Sequence, residues 1–161
     1  MKTTAIIPVR AGPRRLKNKN ILQFGDSNLL VRKIRQLKLV QKNGFIDNIV
    51  VSSDSDEMLK MAENEKVLTH KRQSIYADDV SVPFGEVVKN ICENVFGDNI
   101  LWATCTSPLT LPKHYEEAIK TYKIKVPAEN DSLVSFEILK VFLWDDNGPI
   151  NYGLGKKHVV S

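Results

Sequence analysis

Cysteine is scarce in this chain: 161 residues contain only Cys92 and Cys105, both in apolar surroundings and without CxxC spacing. That arithmetic excludes a disulfide scaffold and a structural zinc site, and makes a reducing cytoplasm the expected location. The three histidines, His70, His114 and His158, lie at no ligand spacing, so no metal cluster is expected from them. Aromatic residues make up 7% and do not interleave with basic ones, which argues against a nucleic-acid partner. No apolar run approaches the roughly 18 residues of a membrane span, so no membrane partner is expected either. The short run Thr3–Val9 leads into arginines and not into a small-residue cleavage site, so no signal peptide is expected. A Walker A loop, a nucleophile elbow and a Ser-His-Asp order are all missing, as are internal repeats, low-complexity tracts and linkers.

What is present reads as one α/β domain. Hydrophobic residues at 42% and charged residues at 26% are globular values, and 23 Lys plus Arg against 19 Asp plus Glu leave a surplus of only +4. Short apolar runs alternate with longer amphipathic segments. Thr4–Val9 has the continuous apolarity of a strand buried on both faces. A helix is predicted over Asn28–Lys42, capped by Ser27 or Asn28, with Leu30, Ile34 and Leu37 inward and Gly44 past its end. Ile46–Ser52 is the next strand, and Asp54 or Ser55 caps a helix through Met58, Met61 and Ala62. A third strand is predicted near Lys66–Leu68, followed by a polar loop over His70–Val80. Phe84, Val87, Val88, Ile91 and Val95 share one face of a third helix. Ile100–Thr104 is a fourth strand, Pro112 opens a fourth helix, and Ser132–Ile138 reads as a fifth strand. Val141–Trp144 and the turn Asp145-Asp146-Asn147-Gly148 suggest a hairpin or excursion.

The implied fold is a Rossmann-like open, mainly parallel sheet with helices on both faces. Residues 1–140 read as its α/β core, and residues 141–161 begin a hairpin or excursion. Right-handed crossovers put every strand-to-helix loop on one sheet edge, where ligands of such folds bind. The chemistry is therefore sought just after each strand.

The first strand empties into the segment Arg10–Asn20, in which five of eleven residues are basic and none is acidic. A basic, Gly-containing loop at this edge suits a triphosphate or pyrophosphate, whose leaving-group charge it neutralises. Ser52-Ser53-Asp54 follows strand two, Arg72 and Tyr76-Ala77-Asp78-Asp79 follow strand three, and Thr106-Ser107-Pro108-Leu109 follows strand four. Asp54 is either a helix cap or a ligand contact, and Thr106 and Ser107 are either contacts or turn formers beside Pro108. Cys105, at a buried strand end, is assigned to packing and not to nucleophilic attack.

These four blocks, spanning residues 5–110 in order, resemble the acylneuraminate cytidylyltransferases, which make CMP-sialic acid. The first block, Ala5-Ile6-Ile7-Pro8-Val9-Arg10-Ala11-Gly12 with Lys19-Asn20-Ile21, carries most of the likeness. The resemblance implies transfer of CMP from CTP to the anomeric hydroxyl of a 2-keto sugar acid, with Mg²⁺ as cofactor, in a homodimer. It implies Arg10 and Lys19 as the catalytic cations on the triphosphate, with Gly12, Arg14, Asn20 and Arg72 also on the nucleotide. It implies Thr104, Thr106 and Ser107 on the sugar acid.

The chain also departs from the pattern. Ala11-Gly12-Pro13 replaces Gly-Gly-Ser, and Pro13 removes a backbone donor. Gln73 follows Arg72 where proline is common, and Thr104 stands where the family has a sugar-contacting glutamine, which opens the choice of acceptor. The family usually runs longer, and its metal-binding aspartates lie beyond residue 161. Asp145-Asp146, the one later acidic pair, is a poor substitute. The ligand set for the metal is therefore unknown, and Phe142, Leu143 and Trp144 begin either an interface or the closing edge of the core. An octulosonate-type transferase, or a nucleotide-binding domain without turnover, remains the alternative.

Overall fold

The apolar run at the start of the chain forms β1 (Thr3–Pro8), one of the two inner strands of a four-stranded parallel sheet. In this computed structural model, residues 1–12, 16, 18–77, 81–136 and 143–150 are described. After β1 come the two-residue strands β2 (Gln23–Phe24) and β3 (Ser27–Asn28), α1 (Leu29–Lys42), β4 (Asn48–Ser53) and α2 (Asp56–Asn64). The chain continues through β5 (Leu68–Lys71), α3 (Phe84–Glu93), β6 (Asn99–Trp102) and α4 (Pro112–Glu129), and then β7 (Trp144–Asp145) and β8 (Gly148–Pro149). The main sheet has the order β5-β4-β1-β6. Pairing runs Ile6↔Val50 on one side of β1 and Ile6↔Trp102 on the other.

Strand alternation divides the core. Ala5, Ile7 and Val9 of β1, with Ile49 and Val51 of β4, join Leu30, Ile34 and Leu37 of α1, Met58 of α2 and Ile119 of α4 in one cluster. Ile6, Val50 and Trp102 point the other way, and Phe84 of α3 meets the Trp102 ring edge-on at 6.1 Å between centroids. Helices therefore cover both faces, as the sequence pattern implies. Fully burying each large aliphatic of the cluster is worth about 1.5–3 kcal/mol.

Local signals explain the element ends. Asn28 caps α1, its side chain accepting from Val31 N at 2.9 Å. Gly44, at φ 78°, lets the chain leave α1 in a left-handed turn. Ser55, not Asp54, caps α2 by accepting from Met58 N.

Four boundaries differ from expectation. The third strand, predicted near Lys66–Leu68, begins only at Leu68 and runs on to Lys71, because Lys66 adopts a left-handed φ of 55° that ends the α2 turn before Leu68 can pair with Val50. The predicted loop His70–Val80 consequently begins inside β5 and contains a 3-10 turn over Ser74–Ala77. The fourth strand stops at Trp102, before Thr104. Of the predicted fifth strand Ser132–Ile138, residues 132–136 are exposed and unpaired, and the remainder lies outside the described residues. The predicted hairpin is present as the β7–β8 pair, while Val141 and Phe142 lie outside the described residues.

Strand order now fixes where to look. From β1 the chain crosses to β4 and β5 on one side, and only later adds β6 on the other. The crevice beyond the carboxyl ends of β1 and β6 is the switch point at which open α/β sheets bind ligands.

Candidate active site

The exits of β1, β4 and β5 are laced together by backbone and side chain. Val9 N donates to Ser52 O at 3.0 Å and Arg72 N to Ser53 O at 2.8 Å. Arg72 turns back to donate from Nη2 to Val9 O at 2.6 Å. Arg10 Nη1 reaches Ala77 O at 3.1 Å, and Asp54 Oδ1 accepts from Ala11 N at 3.0 Å. Of the two roles weighed for Asp54, the helix cap passes to Ser55, and Asp54 instead pins the start of the basic loop.

These exits border a cleft of about 330 Å³. Arg10, Lys19, Asn20 and Arg72 line it from the β1 and β5 side, and Thr104, Cys105 and Thr106 from the β6 side. Six of the residues singled out from sequence, Arg10, Lys19, Asn20, Arg72, Thr104 and Thr106, therefore share one cavity. Gly12 and Ser107 stand outside its lining, and Arg14 lies outside the described residues, as do Asp78 and Asp79. Lys19 and Asn20 belong to a 3-10 turn that follows Asn18, a residue in the left-handed conformation that asparagine tolerates.

Two groups carry clear electrostatic signatures. Arg72 is only 5% exposed, and its Nε has no hydrogen-bond partner among the described residues. Burial pulls its pKa down, Asp54 opposes that, and Arg10 adds to it. A buried guanidinium with an idle donor beside a second cation is prepared for an anionic or carbonyl-bearing ligand. Cys105, 2% exposed, has its thiol pushed up to about 12 by burial against the opposing pull of Lys33 and Lys19. It is an inert thiol in the cleft wall, in agreement with its packing assignment.

Sequence reasoning missed the apolar half of the cavity. Phe84, Val87 and Trp102 line it, and the Phe84–Trp102 pair brings an aromatic edge to the β6 side. Their helical and strand periodicity reads as core, and only the sheet order brings them to the crevice. No carboxylate lines the described part of the cleft, and no cluster of three metal-binding side chains exists among the described residues. Asp145 sits in the β7–β8 turn, accepting from Asn147 N. The residues described here do not fit a protein-held Mg²⁺. No helix among them is long and apolar enough to cross a membrane.

Comparison with known proteins bears on this geometry. Residues 4–140 match the family model described as cytidylyltransferase. The chain is 26% identical over 170 aligned residues to a pseudaminic acid cytidylyltransferase of Campylobacter jejuni, covering 100% of this chain and 71% of the relative. It is 30% identical over 124 residues to an N-acylneuraminate cytidylyltransferase of Escherichia coli, covering 76% of this chain and 28% of the relative. Its fold superposes on a CMP:2-keto-3-deoxy-manno-octonic acid synthetase complexed with CTP at a TM-score of 0.66 and 15% identity, covering 80% of this chain and 49% of the other. The chain thus spans about half the length of that solved structure.

Proposed function

The chain belongs to the cytidylyltransferase family, and from that premise we propose that it transfers CMP from CTP to a 2-keto sugar acid such as an N-acylneuraminate. The anomeric hydroxyl attacks the α-phosphorus, the bond to the β-phosphate breaks, and pyrophosphate and the hydroxyl proton leave. Such displacement depends mainly on alignment and on neutralising charge, so cations do most of the work.

The observation that carries the reading is the meeting of Arg10, Lys19, Asn20 and Arg72 with Thr104 and Thr106 across one cleft at the switch point of the sheet. In this reading Arg10 and Lys19 hold the triphosphate and stabilise the departing pyrophosphate. Asn20 and Arg72 bind the nucleotide, the idle Arg72 Nε supplying a donor. The hydroxyls of Thr104 and Thr106, 3.2 Å apart, contact the acceptor. Mg²⁺ would accompany CTP as the counter-ion of its phosphates.

The test is pyrophosphate release from CTP and Mg²⁺ with a panel of acceptors: sialic, legionaminic, pseudaminic and octulosonic acids. Release with a nine-carbon acid supports the proposal, and release with octulosonic acid alone moves the chain to the octulosonate-type reading. CTP binding without release from any acceptor overturns catalysis by this chain.

A further inference from the structure

Lys33, in the first turns of α1, is fully buried although it carries an ammonium group. Among the described residues its Nζ has no carboxylate partner. It donates instead to Ser107 O at 2.9 Å and to the Tyr115 hydroxyl at 2.6 Å. The nitrogen stands 5.0 Å from the Tyr115 ring centroid, which puts it at the oxygen end of the phenol and not over the ring face. Burial pulls its pKa down, and the neighbouring Arg32 adds to that against the opposing influence of Cys105. A charge held in the interior by two neutral acceptors costs stability compared with an apolar residue of similar shape.

Two neighbours share the same target. Arg32 Nε donates to Pro108 O at 3.0 Å and Gln36 Nε2 to the same oxygen at 2.8 Å. Three side chains of one helix thus end on two consecutive carbonyls of the loop that follows β6. The helix itself is fixed to the sheet by Leu30, Ile34, Leu37 and Val40.

This arrangement turns the carbonyl oxygens of Ser107 and Pro108 toward α1. Neither carbonyl belongs to a residue of the cleft wall, which on this side is formed by Thr104, Cys105 and Thr106 just upstream. Lys33 Nζ, bonded to the carbonyl two residues past Cys105 of the cleft wall, holds its charge close to that side of the cavity.

We propose that Lys33, with Arg32 and Gln36, is a positioning residue for the acceptor side of the cleft: it holds the Thr104–Pro108 loop so that donors and positive potential face an anionic acceptor. The proposal rests on the sugar-acid reading above and adds to it a residue outside the cavity.

The experiment compares the wild type with Lys33→Met, which keeps the shape of the side chain and removes the donor. Hydrogen exchange reads the loop, and steady-state kinetics separate the acceptor KM from kcat and from CTP affinity. Losing one charge-assisted hydrogen bond is expected to speed amide exchange over residues 104–110, and to raise the acceptor KM, roughly tenfold or more. The Kd for CTP, kcat and exchange in β1 and β4 stay within about twofold. Unchanged loop exchange and unchanged KM overturn the proposal. So does a uniform loss of protection across the sheet as well as the loop, which marks Lys33 as merely structural. If Lys33→Met does not fold, Gln36→Leu, which removes one donor to Pro108, reads the same loop in the same direction. A wild type that releases no pyrophosphate overturns the sugar-acid reading instead, and the exchange measurement still decides the clamp.

Discussion

Arg72 Nη2 and the Val9 carbonyl, 63 residues apart in sequence, form a 2.6 Å hydrogen bond that ties the exit of β5 to the exit of β1. One guanidinium nitrogen thereby stabilises the sheet edge, while the buried Nε has no hydrogen-bond partner among the described residues. Substitution removes both at once, and unfolding free energy and CTP affinity read them separately. Arg72→Met leaves Val9 O unpaired, at a cost of about 1–3 kcal/mol, and removes a charged donor from the cleft. Titration with CTP is expected to show affinity lower by roughly tenfold to a hundredfold, the range of a charge-assisted hydrogen bond. Unchanged CTP affinity in a folded variant contradicts the assignment.

Lys19 tests the phosphate side more cleanly than Arg10, because Arg10 also bonds Ala77 O and its loss loosens the β5 exit. Lys19→Ala is expected to weaken CTP roughly tenfold at low salt and less at high salt, since the partly exposed cation acts through a screened field. Isothermal titration at two ionic strengths measures both. Equal weakening at both salts argues for a shape effect in the turn, not for charge.

Gly97 makes a prediction about the fold alone. Its φ is 154°, and a Cβ there meets Thr4 Oγ1 at 2.8 Å and Thr4 Cβ at 3.1 Å. Thr4 is fully buried and already bonded to the Phe96 carbonyl, so it has little freedom to withdraw. Gly97→Ala is expected to cost about 1–3 kcal/mol through strain and overpacking. Gly85, in the first turn of α3 with nothing near its Cβ position, is the control: alanine there is neutral or stabilising. Denaturant unfolding of the two variants separates them.

Much of this was legible in the order of residues. The continuous apolarity of β1 and the spacing of Leu30, Ile34 and Leu37 identify a buried strand and the helix that covers it. The rule that ligands gather at strand ends then leads to the Arg10–Asn20 loop, Arg72 and Thr106, and the family resemblance singles out Lys19, Asn20 and Thr104. Lys33 was not legible, because a lysine within an amphipathic helix reads as solvated until the β6 loop is folded over it. Phe84 and Trp102 escaped for a related reason, since burial in a core and burial in a cleft share one periodicity. Asp54 matched the pattern of a helix cap, yet Ser55 takes that place and leaves Asp54 for Ala11 N. The position of β5 depends on a left-handed φ at Lys66, which apolar patterning does not report.

His70 gives a pH dependence with a definite sign. Its Nδ1 lies 3.1 Å from Ser52 Oγ on the α3 face of the sheet, in register with Ser52 across the β4–β5 pair. Burial first, and Arg72 second, disfavour the imidazolium and hold the His70 pKa below its ordinary 6.5. Lys71 beside it in sequence donates to Asp54 O and to Asp56, away from the ring. As the pH falls through 6.5, the unfolded chain takes up the proton before the folded one. The unfolded state then binds more protons, so stability declines with falling pH. The stabilising contribution is complete above 6.5 and is lost as the pH drops through the folded-state pKa. His70→Gln, which has no proton to gain, is expected to flatten the decline in unfolding free energy between about pH 7 and pH 5. Parallel denaturation curves for wild type and variant across that window contradict a depressed pKa, and a steeper wild-type decline supports it.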